Sequence, residues 1–161
     1  MTIYHYQIRD QFKSFLSRWN WELHATLTFS DNEHVTLTNA AHHVKRWLGK
    51  IRRNIKQSKF AAVIVISSPN RDIPHVHCLI VSDPRFRNSL LELSINVYES
   101  LWLETRKKLY DPQFTISMCN QWDQKTITRY VTRSKNITLW DADRWDIHIY
   151  RPNLLKQLEH I

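Results

Sequence analysis

Two apolar runs joined by a short turn set the strongest limit on what this chain can fold into. Residues 60–67 (FAAVIVIS) are apolar almost without a break. Ser68-Pro69-Asn70-Arg71-Asp72 follows and reads as a turn. Residues 74–81 then read Pro74-His75-Val76-His77-Cys78-Leu79-Ile80-Val81. The two runs predict a β-hairpin. Side chains alternate across a strand, so His75 and His77 share one face while Val76, Cys78 and Ile80 share the other. The inward face is wholly apolar, so the histidines point away from the core. Two imidazoles about 6–7 Å apart along one strand face suit a single divalent metal.

The remaining segments supply the sheet and helices around this hairpin. Ile8, Phe12, Phe15 and Trp19 make a helical stripe within residues 5–19. Residues 23–30 alternate as a strand, with Leu23, Ala25, Leu27 and Phe29 inward and His24, Thr26, Thr28 and Ser30 outward. Ala40, Val44, Leu48, Ile51 and Ile55 form the buried stripe of a helix over 38–57. Asp83-Pro84 reads as a helix start, with the helix running to about Lys108. Residues 113–118 alternate as a strand, 122–134 read as a helix, and 145–150 as a last strand before a short helix at 153–160.

The order β-α-β-β-α-β is the split βαβ pattern. The expected fold class is α+β: a ferredoxin-like antiparallel sheet of about five strands, helices on one face, and a metal site on the open face. In that topology the histidine strand is central, its start beside the ends of the first and second strands. The 161 residues fit a single domain, with 1–20 an N-terminal helix and 145–161 a C-terminal strand and short helix.

Composition narrows the function. A net charge of +8 favours a polyanionic partner, most often nucleic acid. The single glycine, Gly49, excludes a phosphate-cradling glycine loop, so no nucleotide cofactor is expected. No apolar run approaches membrane-spanning length, so no membrane partner is expected. Cys78 and Cys119 lie in apolar surroundings outside any CxxC pair and read as reduced core residues of a cytoplasmic protein. Most of the seven tryptophans are expected in the core, while Trp122, Trp140 and Trp145 are candidates for base stacking, although the alternation of Trp145 with Ile147 and Ile149 favours packing inward.

Two further sets of residues carry chemistry. Tyr130 sits on the predicted helix 122–134, with Arg133 three residues on. Cations and a metal-polarised phosphate would ease attack by its phenol. Ile127, Tyr130 and Val131 at i, i+3 and i+4 equally suit a packed core tyrosine. Lys45, Arg46, Lys50, Arg52, Arg53, Lys56 and Lys59 fill an acid-free stretch. They suit either a solvated helix face or phosphate-backbone contacts, and Arg129, Arg133 and Lys135 near Tyr130 are further phosphate candidates.

Ala25-Thr26-Leu27-Thr28-Phe29-Ser30, Pro74-His75-Val76-His77-Cys78-Leu79-Ile80 and Tyr130-Val131-Thr132-Arg133 occur in the order of three motifs. The chain resembles the single-tyrosine HUH endonucleases, the rolling-circle replication initiators of plasmids and small DNA viruses. The resemblance implies that His75 and His77 bind Mn²⁺ or Mg²⁺ and that Tyr130 cuts single-stranded DNA. The products would be a 5′-phosphotyrosine bond and a free 3′-hydroxyl. It implies an origin, often a stem-loop, as partner, together with the host replication machinery. Arg133 stands where the family usually has lysine. Relatives often place a glutamate ligand about eight residues before the first histidine, where this chain has Ser67. Asp31, Asp72, His148 or water are the other choices for that ligand. A single-tyrosine transposase shares the motifs, and a split βαβ sheet also suits a non-catalytic single-stranded nucleic-acid-binding module.

Overall fold

The computed structural model describes residues 3–29, 35–55, 59–67, 74–83, 85, 90, 93–108, 111, 114–119, 124–125 and 145–159, the side chains of 3–9 and 145 excepted. Helix α1 spans Ile3–Leu16 and strand β1 Leu23–Thr28. Helix α2 spans Leu37–Asn54, and strands β2 and β3 span Phe60–Ser67 and His75–Ser82. Helix α3 spans Ile95–Arg106, strand β4 Thr115–Met118, strand β5 Trp145–Tyr150 and helix α4 Pro152–Gln157.

The five strands form one antiparallel sheet in the order β4-β1-β3-β2-β5. The first four strands have the split βαβ order, and β5 extends the sheet beyond β2. Strand β3 is central, as the sequence predicts. His75 lies opposite Thr28 of β1 on one side and Ser67 of β2 on the other.

One face is covered from end to end. Leu23, Ala25, Leu27, Ile64, Ile66, Val76, Cys78 and Ile80 pack against Val44, Trp47, Leu48 and Ile51 of α2 and Tyr98 and Trp102 of α3. Helix α2 forms here because its apolar positions recur at helical spacing. Its N-cap, Thr36, accepts a hydrogen bond from the Asn39 amide at 3.1 Å. It ends at Ile55, which is extended (φ −115°, ψ 110°). The indoles of Trp47 and Trp102 donate to the Tyr98 carbonyl (2.9 Å) and an Asp111 carboxylate oxygen (3.0 Å), so both can be buried without an orphaned N–H.

The second face is shared between two chemistries. Ala61, Val63, Val65, Leu79 and Val81 pack against Phe12 and Leu16 of α1, Trp19, Trp21, and Leu155 and Leu158 around α4. Helices α1 and α4 therefore lie on the side that the histidines face. Among the described residues, that apolar cluster does not extend over the start of β3, the end of β1 and β4.

One segment differs from the sequence reading, and helices lie on both faces of the sheet rather than on one. No single helix runs from Asp83 to Lys108. Ser94 is extended (φ −68°, ψ 153°) and α3 starts only at Ile95. Asp83 does act as a capping carboxylate ahead of that break: it accepts from the Arg85 amide (3.0 Å) and guanidinium (3.1 and 2.6 Å), which holds its carboxyl down to about 2. The helix read over 122–134 lies outside the described residues, apart from Gln124 and Lys125.

Candidate functional site

The polar part of the second face is set by strand register. Residues paired across an antiparallel sheet share a face. Thr26 pairs with both His77 of β3 and Thr115 of β4; Thr28 pairs with His75; and His24 pairs with Ser117. Ser67 pairs with His75 from the other side. His75, His77, His24, Thr26, Thr28 and Ser67 thus make one patch of imidazoles and hydroxyls on the two central strands and their neighbour. His75 is exposed, while His77 and His24 are half-buried.

The sequence marks His24 only as an outward residue of β1. The structure brings it onto His77. His24 Nε2 lies 3.0 Å from His77 Nδ1, and the two rings stack at 5.2 Å with planes 28° apart. They are diagonal neighbours, because His24 pairs with Leu79 and Thr26 with His77, and aromatic side chains reach across that diagonal. Burial lowers the pKa of His24 from 6.5 to about 4. Burial, with added repulsion from His24 and His75, lowers that of His77 to about 4. Both rings are therefore neutral at pH 7, so each has one N–H and one lone pair.

The other sequence-predicted ligands separate by face. Ser67 is on the histidine face beside His75. His148 is not. It pairs with Ile64, whose side chain belongs to the opposite core, and its Nε2 contacts Asp146 Oδ2 at 2.8 Å. His148 is thereby removed as a partner of His75 and His77. Asp31 and Asp72 lie outside the described residues. No group of three or more His, Cys, Asp or Glu arranged for a metal occurs among the described residues. The imidazole donors fit a divalent ion that accepts nitrogen, Mn²⁺ among them, better than Mg²⁺, which prefers oxygen and keeps several waters.

Tyr130, Arg129, Arg133 and Lys135 lie outside the described residues, as do Trp122 and Trp140. The chain leading to Tyr130 is anchored at Gln124. Its side-chain amide accepts from the Trp21 amide (2.9 Å) and donates to the Trp21 carbonyl (2.8 Å), immediately before β1.

Arg52 and Arg53 are exposed on α2. Arg53 lines a shallow groove with His42, Lys45, Arg46, Gly49 and Lys50, and Lys50 pairs with Glu104 at 3.1 Å. Helix α2 packs on the face opposite the histidines, so this basic groove and the imidazole patch look outward from opposite sides of the sheet. His42 and His43 also part company. His42 lines the groove, whereas the His43 ring turns onto Phe29, 5.9 Å away.

No described helix is long and apolar enough to cross a membrane. No known protein family, curated protein or solved structure matches the chain.

Proposed function

We propose that this chain nicks and rejoins single-stranded DNA by metal-dependent transesterification, and that it serves as a replication initiator acting at an origin. One observation carries the reading: His75 and His77 share one face of the central strand of a split βαβ sheet, in a polar patch outside the two apolar clusters formed with helices α1 to α4. The three-motif resemblance and the net charge of +8 support it.

In this reading His75 and His77 would hold Mn²⁺, or less well Mg²⁺, which when bound would supply Lewis-acid activation of the scissile phosphate. Tyr130 is the nucleophile. Its phenolic oxygen forms the new bond to phosphorus and its proton leaves. The bond to the 3′-oxygen breaks, and that oxygen takes up a proton as the free 3′-hydroxyl. The 5′-phosphotyrosine ester conserves the phosphodiester energy, so a later 3′-hydroxyl can reverse the step without ATP. Arg133 contributes fixed positive charge to the phosphate but is a poor proton donor. Arg129 and Lys135 hold the adjacent backbone, and Arg52 and Arg53 contact phosphate from the far side of the sheet.

The chain length is compatible with this assignment. Tyr130 is six residues beyond Gln124, and six residues reach up to about 20 Å. Trp21, where Gln124 is anchored, precedes Thr26 by five strand-like residues, or about 17 Å. A DNA substrate and buried thiols at Cys78 and Cys119 fit a cytoplasmic setting and a host polymerase as the user of the 3′-hydroxyl.

The test is incubation with a pool of single-stranded oligonucleotides, stem-loops included, in the presence of Mn²⁺, followed by peptide mass mapping. The expected adduct is on Tyr130. Tyr130→Phe should lose it and still bind DNA, and His75→Ala and His77→Ala should lose metal-dependent cleavage. An adduct that persists in Tyr130→Phe refutes the nucleophile. Binding of the pool without any cleavage refutes the enzyme and leaves a single-stranded nucleic-acid-binding module.

A further inference from the structure

We propose that His24 is a positioning residue for His77: its Nε2 accepts the Nδ1–H of His77 and so holds His77 in the tautomer that presents Nε2 to a cation. The inference rests on the metal reading above and deepens it.

The argument is one of proton counting. Two neutral imidazoles whose nitrogens stand 3.0 Å apart share a single N–H between them. Only two arrangements satisfy the contact. If His24 donates from Nε2, then His77 Nδ1 is the acceptor and the proton of the His77 ring sits on Nε2. That hydrogen blocks the nitrogen from metal. If His77 donates from Nδ1, its Nε2 carries the lone pair and His24 carries its own proton on Nδ1. Cation binding at His77 and donation to His24 therefore require the same tautomer, and each stabilises the other. A metal-bound histidine that gives its second N–H to a fixed acceptor is also oriented by it and made a stronger donor.

With the contact taken as a hydrogen bond, the two facing nitrogens are joined through one proton and are not both available to a cation. Register makes the acceptor rigid. His24 lies on β1, which is paired on both sides, with β3 and with β4. His75, by contrast, is exposed and needs no such partner to be reached from solvent.

The test measures Mn²⁺ affinity, from the free-ion electron paramagnetic resonance signal, in the full chain without DNA. His24→Phe keeps a ring of similar size and removes the acceptor. It should weaken Mn²⁺ binding by about ten- to a hundredfold. His24→Gln restores an acceptor oxygen and should recover most of the loss, which a purely structural role of the ring would not predict. An independent readout uses the wild-type chain. A long-range ¹H–¹⁵N spectrum with Zn²⁺ as a diamagnetic probe should show His77 protonated at Nδ1.

Undiminished Mn²⁺ affinity in His24→Phe, with loss in His75→Ala and His77→Ala, overturns the role of His24 and spares the metal reading. Unchanged affinity in all three variants overturns the metal reading, and the inference goes with it. If His24→Phe does not fold, the tautomer decides. An Nε2–H on His77 in the wild type refutes the proposal.

Discussion

The buried histidine pair makes stability fall in mild acid, and the size of the fall can be worked from the structure. Burial lowers His24 and His77 from 6.5 to about 4. A lowered folded pKa means that the unfolded chain binds the proton first. Stability attributable to these groups is therefore full above pH 6.5 and is lost progressively as pH falls towards 4. From pH 7 to pH 5, one such histidine costs about 2 kcal/mol, and two acting independently would cost about 4 kcal/mol. A singly protonated pair keeps its hydrogen bond, so the coupled loss lies between these figures. Both rings retain some solvent contact, which makes the figures ceilings. The assay is urea unfolding followed by tryptophan fluorescence at pH 7 and pH 5, with a chelator present. The wild type is compared with the His24→Gln/His77→Gln double variant. Other titrating groups contribute equally to both proteins, so the wild type should lose more over the interval, by at most about 4 kcal/mol. Equal losses in the two proteins would refute the reasoning, because the buried neutral pair would then carry no linkage.

Two other outcomes test the scaffold and its charge. Trp47 is fully buried against Trp102 and Phe114, so Trp47→Ala should cost about 3–5 kcal/mol in urea unfolding, with an unchanged denaturant slope. A cost below about 1 kcal/mol would mean that this core does not hold α2 to the sheet. Replacing Lys45, Arg46 and Arg53 together by Glu should flatten the salt dependence of single-stranded oligonucleotide binding by about 0.7 for each phosphate that is no longer neutralised. Mn²⁺ affinity should stay unchanged, since that groove lies on the other side of the sheet, and an unaltered salt slope would remove α2 from the DNA surface.

Much of this architecture is legible in the sequence because its signals are local. The unbroken apolar run at 60–67, the turn formers after it and the alternation at 74–81 specify a hairpin and the face of His75 and His77 without reference to the rest of the chain. The helical spacing of Val44, Leu48 and Ile51 does the same for α2. The misreadings share a non-local cause. Asp83-Pro84 has the composition of a helix start, and Asp83 does accept the Arg85 amide, but the chain is extended at Ser94, so no helix runs on from there into α3. His148 has the look of an available ligand because alternation shows which residues share a face but not which side of the sheet that face is. Ile147 and Ile149 pack with α1 and α4, which turns His148 to the other side. The role of His24 is hidden for the same reason: its approach to His77 follows from the pairing of Leu23 with Ile80, a register that no single strand announces.

The strands that bear the imidazoles are both interior to the sheet, each laddered to a neighbour along both edges. A ligand settling there meets donors whose main chain is already immobilised, so little entropy is lost in assembling the cradle. Association at that spot is then governed by stripping water from the incoming ion or phosphate rather than by folding a loop around it. Backbone amides beneath the patch should accordingly be among the slowest in the molecule to exchange their hydrogens, with or without a guest.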